Sequence, residues 1–330
     1  MRYSDHRLAG RPVSKIGFGA MGFAGWFGAH DEADSIRALH YALDNGVTFV
    51  DTARAYGQSE AVIGRALRTW SGERPVVATK VESLGSRRRW GIPLPVEEVF
   101  PRGQVRASAE QSLKELGVER LDLLQLHLWW PTWGVDGYWM EEMQQLKAEG
   151  LVQHLGVSLP DHRSDLALGL VASGLIDSVQ TIVNVFDPLA LDALVPLCRQ
   201  HGVAVIARCV LDEGGLTGAI TSDTVFPEGD YRHGYFDNTV PRQVYLDKVD
   251  ALRAYVPQYA PSLAALALKF VTKTDGVTTA ITSMHIPEHT VANIAAIDGP
   301  ELPDDVFDRL RVDHRFVKNF NNFSDSELWK

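Results

Sequence analysis

Cysteine is almost absent from this sequence: its 330 residues include only Cys198 and Cys209. Two thiols without C-x-x-C spacing support neither a disulfide framework nor a thiolate metal site, and they fit a reducing compartment. Long apolar runs are missing as well. None approaches the ~20 residues that span a bilayer, and the amino end, MRYSDHRLAG, has no apolar centre for a signal peptide. A cytoplasmic protein with no membrane partner is therefore expected. Concentrated positive charge is the third absence. With 32 Lys and Arg against 42 Asp and Glu, a net charge of -10, and no long basic run, the composition argues against a surface that tracks nucleic-acid phosphates. No Ser/Gly-rich linker divides the chain, which reads as one domain over residues 1–330.

What is present is a regular alternation. A turn at Ala9-Gly10-Arg11-Pro12 makes residues 1–12 a small β-hairpin ahead of the main fold. Short, mostly apolar strands are expected at residues 13–18, 47–50, 76–79, 121–126, 152–157, 178–182, 203–207 and 278–281. Amphipathic helices separate them. One starts at Asp31 and closes at Gly46; the others fall at 59–70, 104–116, 140–149, 165–172, 192–200, 244–256 with 262–271, and 287–296. Eight strand and helix pairs imply a parallel sheet covered on its outer face. Eight also favour closure, so the expected fold is an α/β (β/α)8 TIM barrel. Residues 218–239 read as a long loop after the seventh strand, and 317–330 as a polar tail. The run GFGAMG, residues 17–22, has the form G-x-G-x-x-G, but no acid ends a second strand at Rossmann spacing. It reads as the loop after the first strand.

Chemistry concentrates around GVTFVDTARAYG, residues 46–57. Asp51 ends the second strand and Tyr56 follows in its loop, while Lys80 and His127 stand at the ends of the third and fourth strands. In a barrel those ends share one mouth. There a Lys ammonium beside a phenol favours the phenolate, and a carboxylate holds the Lys charged. Tyr56 is thus expected to exchange a proton near neutral pH, with His127 bonding the same carbonyl oxygen. Taken singly, these residues could be a helix cap, a surface charge, a core histidine and a packing ring; four together at strand ends make a candidate catalytic set. Trp129, Trp130, Trp133 and Trp139 follow His127. With Trp26 and Phe27 opposite, Trp129 and Trp130 suggest an aromatic substrate pocket suited to sugars and ring ketones.

At these residues the sequence resembles the aldo-keto reductases. GVTFVDTARAYG is similar to that family's G-x-x-x-x-D-T-A-x-x-Y-G, ATK at 78–80 to its lysine segment and LDLLQLH at 121–127 to its histidine segment. GVS at 156–158, Gln180 with Asn184, GGLTG at 214–218 and Asn293 follow in the family's order. The resemblance implies reversible hydride transfer between a nicotinamide cofactor and a small carbonyl or alcohol, with Tyr56 as general acid, tuned by Lys80 and Asp51, and His127 orienting the carbonyl. It further implies that Ser158 and Gln180 hold the carboxamide, that Ala20, Met21 and Asp51 lie against the cofactor, and that Leu211, Gly214 and Leu216 cover the pyrophosphate. Ser283, His285, His289 and Asn293 would meet the adenosine end. NADP(H) is the family default and NAD(H) the alternative.

Several positions depart from the family pattern. Arg208 stands where an aromatic residue usually stacks on the nicotinamide; a guanidinium can stack there, but its charge should disfavour the oxidised ring. Leu159 replaces an Asn after the fifth strand. The adenosine segment has no arginine, which leaves His285 to meet a 2′-phosphate. HIPEH at 285–289 has the form H-x-x-E-H, but Pro287 fits only a helix start and leaves His285 outside, so no metal is expected. The loop at 226–230 is similar to that of some bacterial sugar- or polyol-linked members. A competing expectation is a nicotinamide-binding regulatory subunit, like channel β subunits with little turnover. His127, typically replaced in those, favours the enzyme.

Overall fold

The computed structural model describes residues 1–28, 31–84, 93–237 and 240–317. Strands β1 (Tyr3–Leu8) and β2 (Arg11–Ser14) pair antiparallel as a hairpin. Eight parallel strands then close into a barrel: β3 (Ile16–Gly19), β4 (Phe49–Asp51), β5 (Val76–Val81), β6 (Leu121–His127), β7 (Val152–Ser158), β8 (Ser178–Ile182), β9 (Ala204–Arg208) and β10 (Val277–Ser283), with β10 returning to pair with β3. The expected (β/α)8 barrel with an N-terminal hairpin is thus observed. Among the described residues, no helix is long and apolar enough to cross a membrane.

The hairpin closes one end of the barrel. Leu8 and Val13 pack inside it with Phe49, Val76, Leu123 and Ile206, all buried. Arg11 pairs with Asp122 and donates to the carbonyls of Arg74 (2.8 Å) and Pro75 (3.0 Å). The Ala9 amide donates to His154 Nε2 at 3.0 Å, which leaves the ring proton on Nδ1, 3.4 Å from Asp177. With this end plugged, Asp51, Lys80, His127 and Ser158 lie towards the other.

Three expectations need correction. The first strand, read over 13–18, is two: Ser14 accepts from the Thr48 amide (2.9 Å) and donates to the Ile16 carbonyl (2.7 Å), and the chain turns there from hairpin into barrel. The loop read as irregular contains a helix, Tyr231–Asp237. A last helix, Asp304–Asp313, was not anticipated, because only Val306 and Leu310 are fully buried and the periodic signal is short; Phe307 adds a stacked contact on Phe270 at 4.9 Å. Of the polar tail, residues 318–330 lie outside those described.

Asp177, just before β8, ties strands together at the plugged end: its carboxylate accepts from the Leu155 amide (2.8 Å) and from Lys147 (2.9 Å). Burial pushes its pKa up, but the bonds from His154, Leu155 and Lys147 outweigh burial and hold it at about 2. A depressed carboxylate stabilises the fold at pH values above its unfolded pKa and loses that contribution as pH falls through the folded one. Asp177→Asn is therefore expected to lower stability by ~1–2 kcal/mol at neutral pH. In urea melts at descending pH, the gap to wild type should close between about 4 and 2.

Candidate active site

At the open end, an ion pair occupies the barrel interior. Lys80 lies within β5 rather than just beyond it and is fully buried. Its Nζ donates to Asp51 Oδ1 at 2.7 Å and to the Thr52 carbonyl at 2.8 Å. Gln180 reaches across from β8 and donates Nε2 to Asp51 Oδ2 at 2.7 Å. Both carboxylate oxygens are thus engaged. Burial lowers the Lys80 pKa, opposed chiefly by Asp51. Gln180's amide N–H therefore serves Asp51, and holding a carboxamide, as expected of it, would fall to its oxygen.

Tyr56 stands beside this pair. Lys80 Nζ lies 4.9 Å from its ring centroid, and the ring meets His127 edge-on at 5.9 Å and Trp26 at 5.7 Å. Its loop is pinned from behind. Glu60, fully buried, accepts from Arg54 (2.5 Å) and from Thr79 of β5 (2.6 Å), so the Tyr56 loop and the Lys80 strand share one carboxylate. The sequence did carry a signal for Glu60: it lies three and seven residues before Ile63 and Leu67, on the buried stripe of its helix.

A near-neutral Tyr56 is not what the structure gives. Burial pushes the phenol well above its usual range, and Asp51 pushes further. The physical reason is that the ammonium is committed to Asp51 and Thr52 and lies over the ring instead of bonding the hydroxyl. Burial, then the charges of Lys80 and Arg208, hold His127 well below its usual pKa. The site therefore presents a protonated phenol and a neutral imidazole. Among the described residues neither the hydroxyl nor a ring nitrogen has a hydrogen-bond partner. Ser158, buried, stands in register between His127 and Gln180 on neighbouring strands.

Arg208 ends β9. Its Nη2 donates to Asp161 Oδ1 (2.6 Å) and to the Leu159 carbonyl (2.8 Å), and Nη1 to Cys209 Sγ (3.3 Å). The uncompensated cation expected here is paired, and no local pattern in the sequence marks Asp161 as its partner. Leu211 caps, and Gly214 and Leu216 belong to, a tight turn, Asp212–Thr217, where Gly214 has φ +93°. Tyr235 and Tyr245 anchor that turn by donating to the two oxygens of buried Asp212, at 2.5 and 2.7 Å.

On the far side, Ala20 donates its amide to the Asp51 carbonyl at 2.9 Å, and Met21 opens a short turn, Met21–Ala24. Gly22 sits so close to the His285 ring that a Cβ would overlap it. His285 is buried, 2.8 Å from Ser283 Oγ and stacked on Phe27 at 6.3 Å; Asn293 donates to the Ser283 carbonyl at 3.2 Å, and His289 is exposed. The helix there begins at Pro287, leaving His285 outside it. Arg232 brings an unanticipated guanidinium to within 5.7 Å of the Phe27 ring.

The tryptophans divide. Trp129 is 1% exposed, packs on Trp139 at 6.4 Å and donates to the Gly134 carbonyl, while Trp133 bonds Leu94. These rings build the core of their own loop; Trp130 is also buried, while Trp26 and Phe27 are half-buried, Trp26 against Tyr56 and Phe27 against His285.

Comparisons with known proteins agree with the fold. Residues 15–312 match the family model described as Aldo/keto reductase family. The chain is 26% identical over 303 residues to the NADH-specific methylglyoxal reductase of Escherichia coli (strain K12), covering 87% of this chain and 90% of that protein. It is 27% identical over 290 residues to aldo-keto reductase YhdN of Bacillus subtilis (strain 168), covering 85% and 84%. The solved structure of the glycerol dehydrogenase AKR11B4 from Gluconobacter oxydans superposes with a TM-score of 0.75 at 26% identity, covering 94% of this chain and 95% of that one.

Removing one partner of the buried pair should be costly. Lys80→Met, which leaves Asp51 charged and uncompensated, is expected to lower the unfolding free energy by ~3–5 kcal/mol. Lys80→Met with Asp51→Asn should recover part of that loss in the same urea titration.

Proposed function

The chain belongs to the aldo/keto reductase family and is an oxidoreductase acting on carbonyl compounds; from that premise we propose that it reduces a small aldehyde or ketone, or oxidises the alcohol, with Tyr56 as the proton donor and acceptor. The observation that carries this reading is the buried Tyr56 hydroxyl, without a hydrogen-bond partner among the described residues, beside the neutral ring of His127.

The residues fit a nicotinamide dinucleotide. Buried polar atoms at the mouth, Arg208 Nε among them, lack a partner among the described residues, and glycines at 19 and 22 keep the chain after β3 close to the Thr282–His285 segment. When bound, such a cofactor supplies or takes the hydride at the carbonyl carbon. Tyr56 donates its proton to the carbonyl oxygen as the C–H bond forms, and accepts it back in the reverse direction. His127, neutral, donates a hydrogen bond to the same oxygen and polarises the carbonyl without adding charge. Lys80 and Asp51 hold the phenol's surroundings fixed, and Lys80 provides the positive charge next to which a transient phenolate is tolerated. These roles favour turnover over a regulatory subunit that only binds.

NADP(H) was the expectation from resemblance. The adenosine segment itself, however, offers Ser283, His285, His289 and Asn293 and no permanent cation for a 2′-phosphate; His285 is buried against Phe27, and the Arg232 guanidinium near that ring is already paired with Asp230. We therefore infer use of NADH alongside NADPH, a reading supported by the NADH-specific relative. The pocket, with Trp26 against Tyr56 and the polar His127 on the other side of that ring, suits a short oxygenated carbonyl, in keeping with the methylglyoxal and glycerol named for the relatives.

Tyr56→Phe is expected to bind nicotinamide with unchanged affinity and to lose ~100- to 10,000-fold in turnover; equal turnover would refute the mechanism. Because Tyr56 must be protonated to donate and its pKa is raised, aldehyde reduction should stay flat across neutral pH and decline only in the alkaline range. Parallel fluorescence titrations with NADH and NADPH will read the cofactor preference.

A further inference from the structure

We propose that Asp161, acting through Arg208, sets the balance between the oxidised and the reduced cofactor that this site will hold. The inference rests on the nicotinamide reading above. Oxidised nicotinamide carries a positive ring charge that the reduced ring lacks. A bare guanidinium at the end of β9 would oppose the oxidised form alone, and a guanidinium neutralised by a carboxylate would not.

The pairing is built rather than incidental. Asp161 holds Arg208 Nη2 at 2.6 Å, and its side chain is only 7% exposed. The next residue, His162, is buried with φ +58° and has Nδ1 2.6 Å from Oδ2 of buried Asp187, so the segment bearing Asp161 is clamped to the loop after β8. The Leu159 carbonyl accepts from the same Nη2. Lys80 is thus paired with Asp51 and Arg208 with Asp161, while Tyr56 and His127 are neutral. A second carboxyl, Glu213, lies beside Cys209 Sγ at 3.1 Å. Glu213 accepts from that thiol and not from Arg208, whose carboxylate partner among the described residues is Asp161. Asp161 makes no cofactor contact in this account; it is a positioning residue that works by charge.

Dissociation constants for NAD⁺, NADH, NADP⁺ and NADPH, read from quenching of tryptophan fluorescence in the full chain, provide the test. Asp161→Asn should weaken the oxidised forms roughly ten-fold relative to the reduced ones. Arg208→Gln should move the ratio the opposite way, since Asp161 would then stand uncompensated near a cationic ring. The double variant should return the ratio towards wild type while weakening both forms. Asp161→Glu, which keeps the charge, should keep the ratio. Circular dichroism confirms folding, and the opposite sign of the Arg208 variant gives an independent result if Asp161→Asn does not fold. An unchanged ratio in Asp161→Asn, or equal weakening of both forms, overturns the proposal. If the wild-type chain binds none of the four, the nicotinamide reading falls and this inference with it.

Discussion

One buried ion pair organises the open end of this barrel. Lys80 and Asp51 are both out of water, and a separated charge in that position would be untenable. Their geometry is therefore imposed on everything they touch: β4 and β5 in register, Gln180 reaching across from β8 to take the second carboxylate oxygen, and the Thr52 carbonyl turned towards the ammonium. The Tyr56 loop begins directly after this pair. Its position is fixed a second time by Glu60, which bonds both Arg54 and the Thr79 hydroxyl next to Lys80. Two buried carboxylates thus determine where the phenol stands.

Electrostatically the mouth is balanced, not basic. Lys80, Arg208 and Arg232 each meet a carboxylate, and the two groups placed to exchange or share a proton are neutral because burial disfavours their charged forms. That arrangement suits a reaction whose charge appears only in passing, on a carbonyl oxygen between Tyr56 and His127. The closed opposite end serves the same economy of polarity: the hairpin fills it with Leu8 and Val13, so the buried charges have one exit.

Much of this was legible in the chain. The 2-to-3.6 alternation of apolar periods fixes the strands and helices one by one, and because each is a local pattern it survives without tertiary information; β8 and the helices Gln104–Leu116 and Pro287–Ala296 match residue for residue. Asp51, Lys80 and His127 could be found because a polar residue ending an apolar strand is an anomaly that local propensity does not explain. The helix Asp304–Asp313 escaped because it rests on few buried side chains, and the turn at Ser14 because a bend between two apolar segments leaves the apolar pattern unbroken.

The sequence by itself thus determined the order of elements, the count of eight that closes the barrel, and the identity of the polar residues brought to one mouth. Tertiary structure alone decided what those residues do to one another. Whether Lys80 bonds the Tyr56 hydroxyl or lies over its ring depends on how β5 and the Tyr56 loop are placed in space. Whether Arg208 is a free charge depends on Asp161, 47 residues away in the chain. Whether Trp129 faces a substrate or its own loop depends on Trp139. Charge pairing and burial are properties of distance in space, and the chain encodes them only through the fold.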